Sequence, residues 1–185
     1  MHSLRYQWHN DDPIYDGIPI LQKLRVPHIK SRGYVNLRCV WVIGCPGEIH
    51  ALSANTKGTE VFFAQAFREL FPDTPVPEAV GVSCCAQFAV SSSKILERPK
   101  ADYEHYREWL RNTPLPDYDS GRIMEYVWHM IFGMPPVHCP SAKECYCETF
   151  GLCNETCYED RCEGRYILPP YSTMPKGWPE EGWGP

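Results

Sequence analysis

Apolar residues recur with helical period in three stretches of the chain. Residues 59–71 place Phe62, Phe63, Ala66, Phe67 and Leu70 on one side, and Lys100–Asn112 does the same with Tyr103, Tyr106, Trp109 and Leu110. The third stretch, Ser120 to Phe132, is apolar around most of its circumference through Ile123, Met124, Val127, Trp128, Met130, Ile131 and Phe132. A helix exposed along one side does not tolerate that pattern, so this one is predicted to be buried. Asp119 or Ser120 is expected to cap its start, and Gly133 with Pro135 and Pro136 ends it. A shorter helix is expected over residues 16–26, burying Ile20, Leu21 and Leu24.

Two stretches alternate with period two instead. Tyr34 to Trp41 sets Val35, Leu37, Cys39 and Trp41 against Asn36 and Arg38, the pattern of a strand with one less apolar face. Val80 to Val90 is nearly continuous in apolar residues and reads as a central strand buried on both sides, with Gln87 needing partners inside it. Helices and strands in this order predict an α/β or α+β domain. The segments drawn are a domain over residues 1–138, a cysteine-rich module over 139–167, and an extended or disordered tail over 168–185. In that tail Trp178 and Trp183 are candidate docking residues.

At 185 residues and net charge −5, the chain can build one core but has no basic run to attract phosphate backbones. Nucleic acid and anionic membranes are poor partners, and no apolar run is long enough for a membrane span. Its ten cysteines are Cys39, Cys45, Cys84, Cys85, Cys139, Cys145, Cys147, Cys153, Cys157 and Cys162. An even number crowded into a loop-rich segment points to disulfides and a secretory or extracellular setting. Asn154-Glu155-Thr156 is an N-glycosylation triplet that agrees with this. The first ten residues lack the apolar stretch of a signal peptide. Cys39 and Cys45 flank a turn and are read either as a local disulfide or as two buried thiols. Cys84 and Cys85, on opposite faces of a strand, are expected to join different partners or remain free. Zinc binding by the C-terminal cysteines is the alternative to disulfides, although their spacing lacks two-residue knuckles.

Candidate chemistry sits in three places. Arg122, Glu125 and His129, spaced three and four apart, share one helix face, which is either a catalytic stripe or a salt-bridged solvated edge. His2, Asp11 and Asp12 offer imidazole and carboxylate ligands to a divalent cation, or form an ordinary polar turn. Trp8, Tyr6 and Tyr15 offer rings on which sugars or partner proteins dock.

Several blocks carry a resemblance. Cys84-Cys85-Ala86-Gln87-Phe88-Ala89-Val90-Ser91, the Tyr103–Thr113 helix, Ser120–His129, Cys139–Cys153, Gly33–Cys39 and Trp8-His9-Asn10 together resemble a fungal domain-of-unknown-function family. Members extend further at the N-terminus, often with a signal or anchor, so the resemblance implies that this chain begins within the domain. A weaker similarity links the blocks to nucleotide-sugar glycosyltransferases of the A-type fold. That similarity implies the C-terminal part of a three-layer domain, with a nucleotide sugar and a glycan acceptor as partners. It assigns Glu125 as base or acceptor-orienting carboxylate, Arg122 and His129 beside it, and Gln87, Trp8, Asn36 and Arg38 to substrate. The Asp-x-Asp metal motif of such enzymes is missing. The non-catalytic alternative is a disulfide-stapled module that binds glycans or proteins.

Overall fold

A computed structural model describes residues 4–184, which form seven helices and four short strands in a mixed α+β arrangement. The helices are α1 (Gly17–Gln22), α2 (Val26–Arg32), α3 (Glu60–Leu70), α4 (Ser92–Leu96), α5 (Lys100–Asn112), α6 (Asp117–Ile131) and α7 (Ala142–Phe150). The strands are β1 (Tyr34–Asn36), β2 (Gly81–Val82), β3 (Phe88–Val90) and β4 (Val137–His138). β1 pairs antiparallel with β3, setting Tyr34 against Val90 and Asn36 against Phe88. β2 pairs parallel with β4 in a second two-stranded sheet.

Helix α5 has the bounds its periodicity predicts, and α3 lies within the predicted range. Helix α6 begins at Asp117, ahead of both expected caps, Asp119 and Ser120, and Pro116 holds an extended conformation in front of it. The helix expected over 16–26 is shorter: α1 covers Gly17–Gln22, capped by the Asp16 carboxylate accepting from the Ile18 N–H, with Leu21, expected inward, 41% exposed, and a separate helix, α2, starts at Val26 with Pro27 in its first turn. Phe62 and Leu110, assigned inward, are 39% and 40% exposed. The single strand expected over Val80–Val90 is broken. β2 ends at Val82, Cys85 and Ala86 adopt left-handed φ of 84° and 45°, and the chain re-enters a sheet only at Phe88.

Strand β1 divides the core. Successive side chains of a strand point to opposite faces, and here Tyr34 joins one cluster while Val35 joins another. The first cluster packs Phe63, Phe67, Leu70, Tyr106 and Trp109 against Ile123, Val127 and Ile131 of α6. The second packs Val35, Leu37 and Val40 against Ala142, Tyr146 and Phe150 of α7, with Tyr15, Cys162 and Tyr166. Residues 139–167 therefore share a core with the N-terminal third. The tail folds back too. Trp178 donates to the Ile14 carbonyl at 2.7 Å, and Trp178 and Trp183 pack on Tyr15 at ring separations of 5.5 and 6.1 Å.

All ten cysteines are paired: Cys39–Cys145, Cys45–Cys139, Cys84–Cys85, Cys147–Cys153 and Cys157–Cys162. This pairing corrects two expectations: Cys39 and Cys45 reach across the chain rather than to each other, and Cys84 and Cys85 join each other. The C-terminal cysteines form disulfides, as their crowding predicts, rather than a zinc site. Five disulfides fit a secreted or lumenal protein. No described helix is long and apolar enough to cross a membrane.

The burial of α6 makes a direct prediction. Ile123 has no exposed surface and belongs to the first cluster, whereas Arg122, next to it, is exposed. Ile123→Ala is expected to lower stability in denaturant titrations by about 2–5 kcal/mol. Arg122→Ala should change it by no more than about 0.5 kcal/mol.

Candidate functional site

The centre of the molecule is a buried cation. After β1 the chain stays buried through Val40, and the Leu37 N–H donates to the Gln87 carbonyl at 2.8 Å, which continues the contact with the β3 side. Arg38 lies in this stretch with no exposed surface. Its Nη2 donates to the Val42 carbonyl at 2.7 Å, and its Nη1 faces both sulfurs of the Cys84–Cys85 disulfide, at 2.9 Å from Cys85 Sγ. The guanidinium lies over Tyr166 at 4.3 Å and Trp8 at 5.7 Å, and Nε has no partner. No carboxylate of a described residue is within ion-pair distance of it. Burial lowers its proton affinity, while Tyr166, Asp11, Tyr146 and Glu125 act in the opposite direction.

Asp11 is a buried carboxyl group that interacts with Arg38. Its Oδ2 accepts from the Cys39 N–H at 2.5 Å and the Val40 N–H at 3.4 Å, and its Oδ1 accepts from the Tyr146 hydroxyl at 2.5 Å. Burial pushes its carboxyl above the usual range, and the Tyr146 and Cys39 donors oppose that shift. The same burial and the Asp11 charge raise the Tyr146 phenol far above its ordinary value. Asp11 is thus held by the loop before α1, the chain after β1, and α7.

The Cys84–Cys85 turn is positioned from both sides. The Val82 N–H donates to the Gly44 carbonyl at 3.1 Å and the Cys84 N–H to the Ile43 carbonyl at 2.9 Å, so the loop that also binds Arg38 through Val42 holds the turn's first half. The close approach explains Gly44, where a Cβ would run into the Val82 carbonyl. From α6, Glu125 Oε1 accepts from the Cys85 N–H. Left-handed φ at two consecutive non-glycine residues costs of order 1–3 kcal/mol each, so these contacts must hold the turn in place. The ligand-type atoms of Cys84, Cys85 and Glu125 lie within 4.8 Å of one another, the one such cluster among the described residues.

The structure therefore brings together Trp8, Asp11, Arg38 and Glu125, and separates the rest. Arg122 is exposed over the Tyr118 ring at 5.3 Å. His129 is fully buried, its Nε2 donating to the Pro136 carbonyl at 3.0 Å and its Nδ1 without a partner. The Arg122–Glu125–His129 stripe is thus neither one catalytic group nor a solvated edge; its members meet solvent, the Cys85 backbone and the core in turn. Gln87 is 5% exposed with Nε2 unpartnered. Asn36 accepts from the Tyr34 hydroxyl at 3.0 Å and lines a cavity of about 30 Å³ with His28, Arg32 and His138, away from Arg38. Asp12 Oδ1 accepts from the Ile14 and Asp16 N–H groups, so it shapes a turn. The Asp11 and Asp12 carboxylates do not converge as a cation site, because each is committed to different donors. His2 lies outside the described residues. Asn154 is exposed in the loop after α7.

The aromatic walls Tyr146 and Tyr166 and the pairing of Cys84 with Cys85 have no counterpart in the sequence reading. The available signals were Arg38 as the one charge in an apolar strand and two adjacent cysteines in another.

His129 gives a pH test. Burial pushes it down to about 4 from its ordinary 6.5, so it is neutral when folded at neutral pH. Between those values the unfolded chain takes up a proton that the folded chain refuses, so stability falls as pH drops from 6.5 towards 4 and this group has no effect above 7. Its full contribution is of order 3 kcal/mol. The difference in unfolding free energy between the protein and His129→Gln, measured across that range, should show this slope; parallel curves would contradict it.

No curated protein and no solved structure matches the chain. The family model described as Protein of unknown function (DUF3431) matches residues 1–148, from the loop carrying Trp8 and Asp11 into α7, and the chain belongs to that family.

Proposed function

We propose that the protein acts on or binds carbohydrate, as a glycosyltransferase-like protein whose acceptor side is the face formed by Trp8, Glu125 and the Cys84–Cys85 turn. The observation that carries this reading is Glu125. Its carboxylate is half-buried, one oxygen is oriented by the Cys85 N–H, and the other takes no hydrogen bond from a described residue. A general base for a sugar hydroxyl needs such a fixed, reachable carboxylate. Arg38, rather than Arg122, is the cation on the same side of the Cys84–Cys85 turn, and half-exposed Trp8 supplies a ring of the kind on which sugars stack. The donor, a nucleotide sugar in this reading, requires groups beyond this face, and a divalent cation would have to come with it.

A second reading has its own observation. Trp8 lines an apolar surface cleft of about 130 Å³ with Leu168, Pro169, Pro170, Tyr171 and Ser172. That cleft needs no acid or base, and it supports a disulfide-stapled module that holds a glycan without transforming it. The five disulfides and the exposed Asn154 triplet fit a glycoprotein of the secretory pathway under either reading.

Incubation with a panel of nucleotide sugars and oligosaccharides separates the two. Transfer by the protein, reduced about 10²–10⁴-fold in Glu125→Gln with glycan affinity retained, is the expected result. Glycan binding without transfer, weakened by Trp8→Ala and unaffected by Glu125→Gln, would replace the transferase reading with the binding one. Neither transfer nor binding would overturn both.

A further inference from the structure

Four of the disulfides close loops. Cys39–Cys145 and Cys45–Cys139 join positions 106 and 94 residues apart, and Cys147–Cys153 and Cys157–Cys162 close short loops with separations of 6 and 5. Each restricts the unfolded chain, which is how a disulfide ordinarily stabilises a fold. Cys84–Cys85 has a separation of 1 and closes no loop. Opening it gives the unfolded chain no loop entropy to regain. The structural role that accounts for the other four is absent here.

What faces the pair supplies a different role. Arg38 directs Nη1 at both sulfurs, leaves Nε unpartnered, and has no carboxylate in ion-pair contact. A guanidinium stays charged even when buried, and a buried charge without a close counter-ion is costly. A thiolate on one of these sulfurs would be that counter-ion. Access differs between the two sulfurs: Cys84 is 4% exposed, whereas Cys85 is half-buried. The charged groups around the pair are Arg38 from the chain after β1, Glu125 from α6, and Asp11 behind Arg38. Glu125 bonds the Cys85 backbone, so its charge disfavours a thiolate most on the Cys85 side.

We propose that Cys84–Cys85 is an exchange-active disulfide that takes two electrons from a dithiol, with Cys85 as the sulfur attacked and Arg38 holding the Cys84 thiolate that leaves. The incoming thiolate forms a mixed disulfide with Cys85 Sγ. The Cys84–Cys85 bond breaks, and its electron pair goes to Cys84 Sγ against the Arg38 guanidinium. The second thiol of the reagent, losing its proton, then attacks the mixed disulfide. The reagent departs as a disulfide, and Cys85 Sγ takes a proton. The net result is one dithiol oxidised and one cysteine pair reduced. A well-stabilised leaving thiolate speeds such exchange, as does access to the attacked sulfur. The inference is independent of the carbohydrate reading, which rests on Glu125.

The test uses the whole protein. It is exposed to dilute dithiothreitol for increasing times, alkylated, and mapped by peptide mass spectrometry. Cys84 and Cys85 should be labelled at least about 10-fold faster than the other eight cysteines, with near-ultraviolet circular dichroism unchanged. Reduction of this pair together with or after Cys147–Cys153 and Cys157–Cys162, or only as the fold is lost, would overturn the proposal. Arg38 is read separately in Cys85→Ser, which leaves Cys84 as the single free thiol. Its ultraviolet thiolate absorbance should appear with a midpoint well below the ordinary value of about 8.5 and move upwards in Cys85→Ser/Arg38→Lys. A midpoint at or above the ordinary value in Cys85→Ser would remove Arg38 from the mechanism.

Discussion

The burial of the Arg38 guanidinium is the constraint around which the other parts are arranged. Removing a charge from water costs several kcal/mol unless dipoles, rings or counter-charges replace the solvent. Here the replacements come from three segments. The Val42 carbonyl comes from the loop after β1, Tyr166 from beyond α7, and Trp8 and the Asp11 carboxyl from the loop before α1. Each segment that approaches Arg38 is thereby fixed relative to the others. The Cys39–Cys145 disulfide at the next residue locks the chain after β1 to α7, the helix whose Tyr146 also binds Asp11.

The position of β1 explains why the cation lies where it does. Tyr34 faces the aromatic cluster of α3, α5 and α6, while Val35 and Leu37 face the cluster built on α7. Arg38 comes two residues after β1, where its neighbours are the Val42 carbonyl, the Cys84–Cys85 sulfurs and the rings of Tyr166 and Trp8. The Cys84–Cys85 turn reaches both clusters: β2 before it pairs with β4, and β3 after it pairs with β1.

The helices of the first cluster were legible because their apolar residues keep a period of 3.6, which tertiary packing only reinforces. Helix α7 was hidden although its buried positions Ala142, Cys145, Tyr146, Thr149 and Phe150 keep the same period. Its cysteines drew attention to stapling and away from periodicity. The broken strand between Val80 and Val90 was not legible, because an apolar run does not reveal a left-handed turn at Cys85 and Ala86. Trp8, Asp11, Arg38 and Glu125 were each singled out by residue type. Their meeting at one centre depends on long-range contacts that no local pattern encodes. The stripe of Arg122, Glu125 and His129 failed as a unit for a related reason. Spacing reports direction around a helix axis, whereas burial along this stripe changes from solvent at Arg122 to the core at His129, beside Pro136.

The ionisation of the centre follows from its donors. Desolvation acts on Asp11 and Arg38 in opposite directions, yet both effects favour the neutral forms. Arginine does not yield its proton, so the centre is cationic unless Asp11 is ionised. Asp11 accepts from the Cys39 and Val40 N–H groups and from Tyr146, and its two oxygens thereby meet three donors that stabilise the carboxylate. Arg38 and Asp11 are not joined in an ion pair, because the Asp11 oxygens are committed to main-chain and Tyr146 donors. That leaves the guanidinium edge on the Cys84–Cys85 side without an anion of its own. Glu125, oriented by the Cys85 N–H and still half-exposed, is the other carboxylate that interacts with Arg38. Burial keeps the guanidinium itself out of reach, so a group that approaches this face meets the half-exposed Glu125 carboxylate and Cys85 before Arg38.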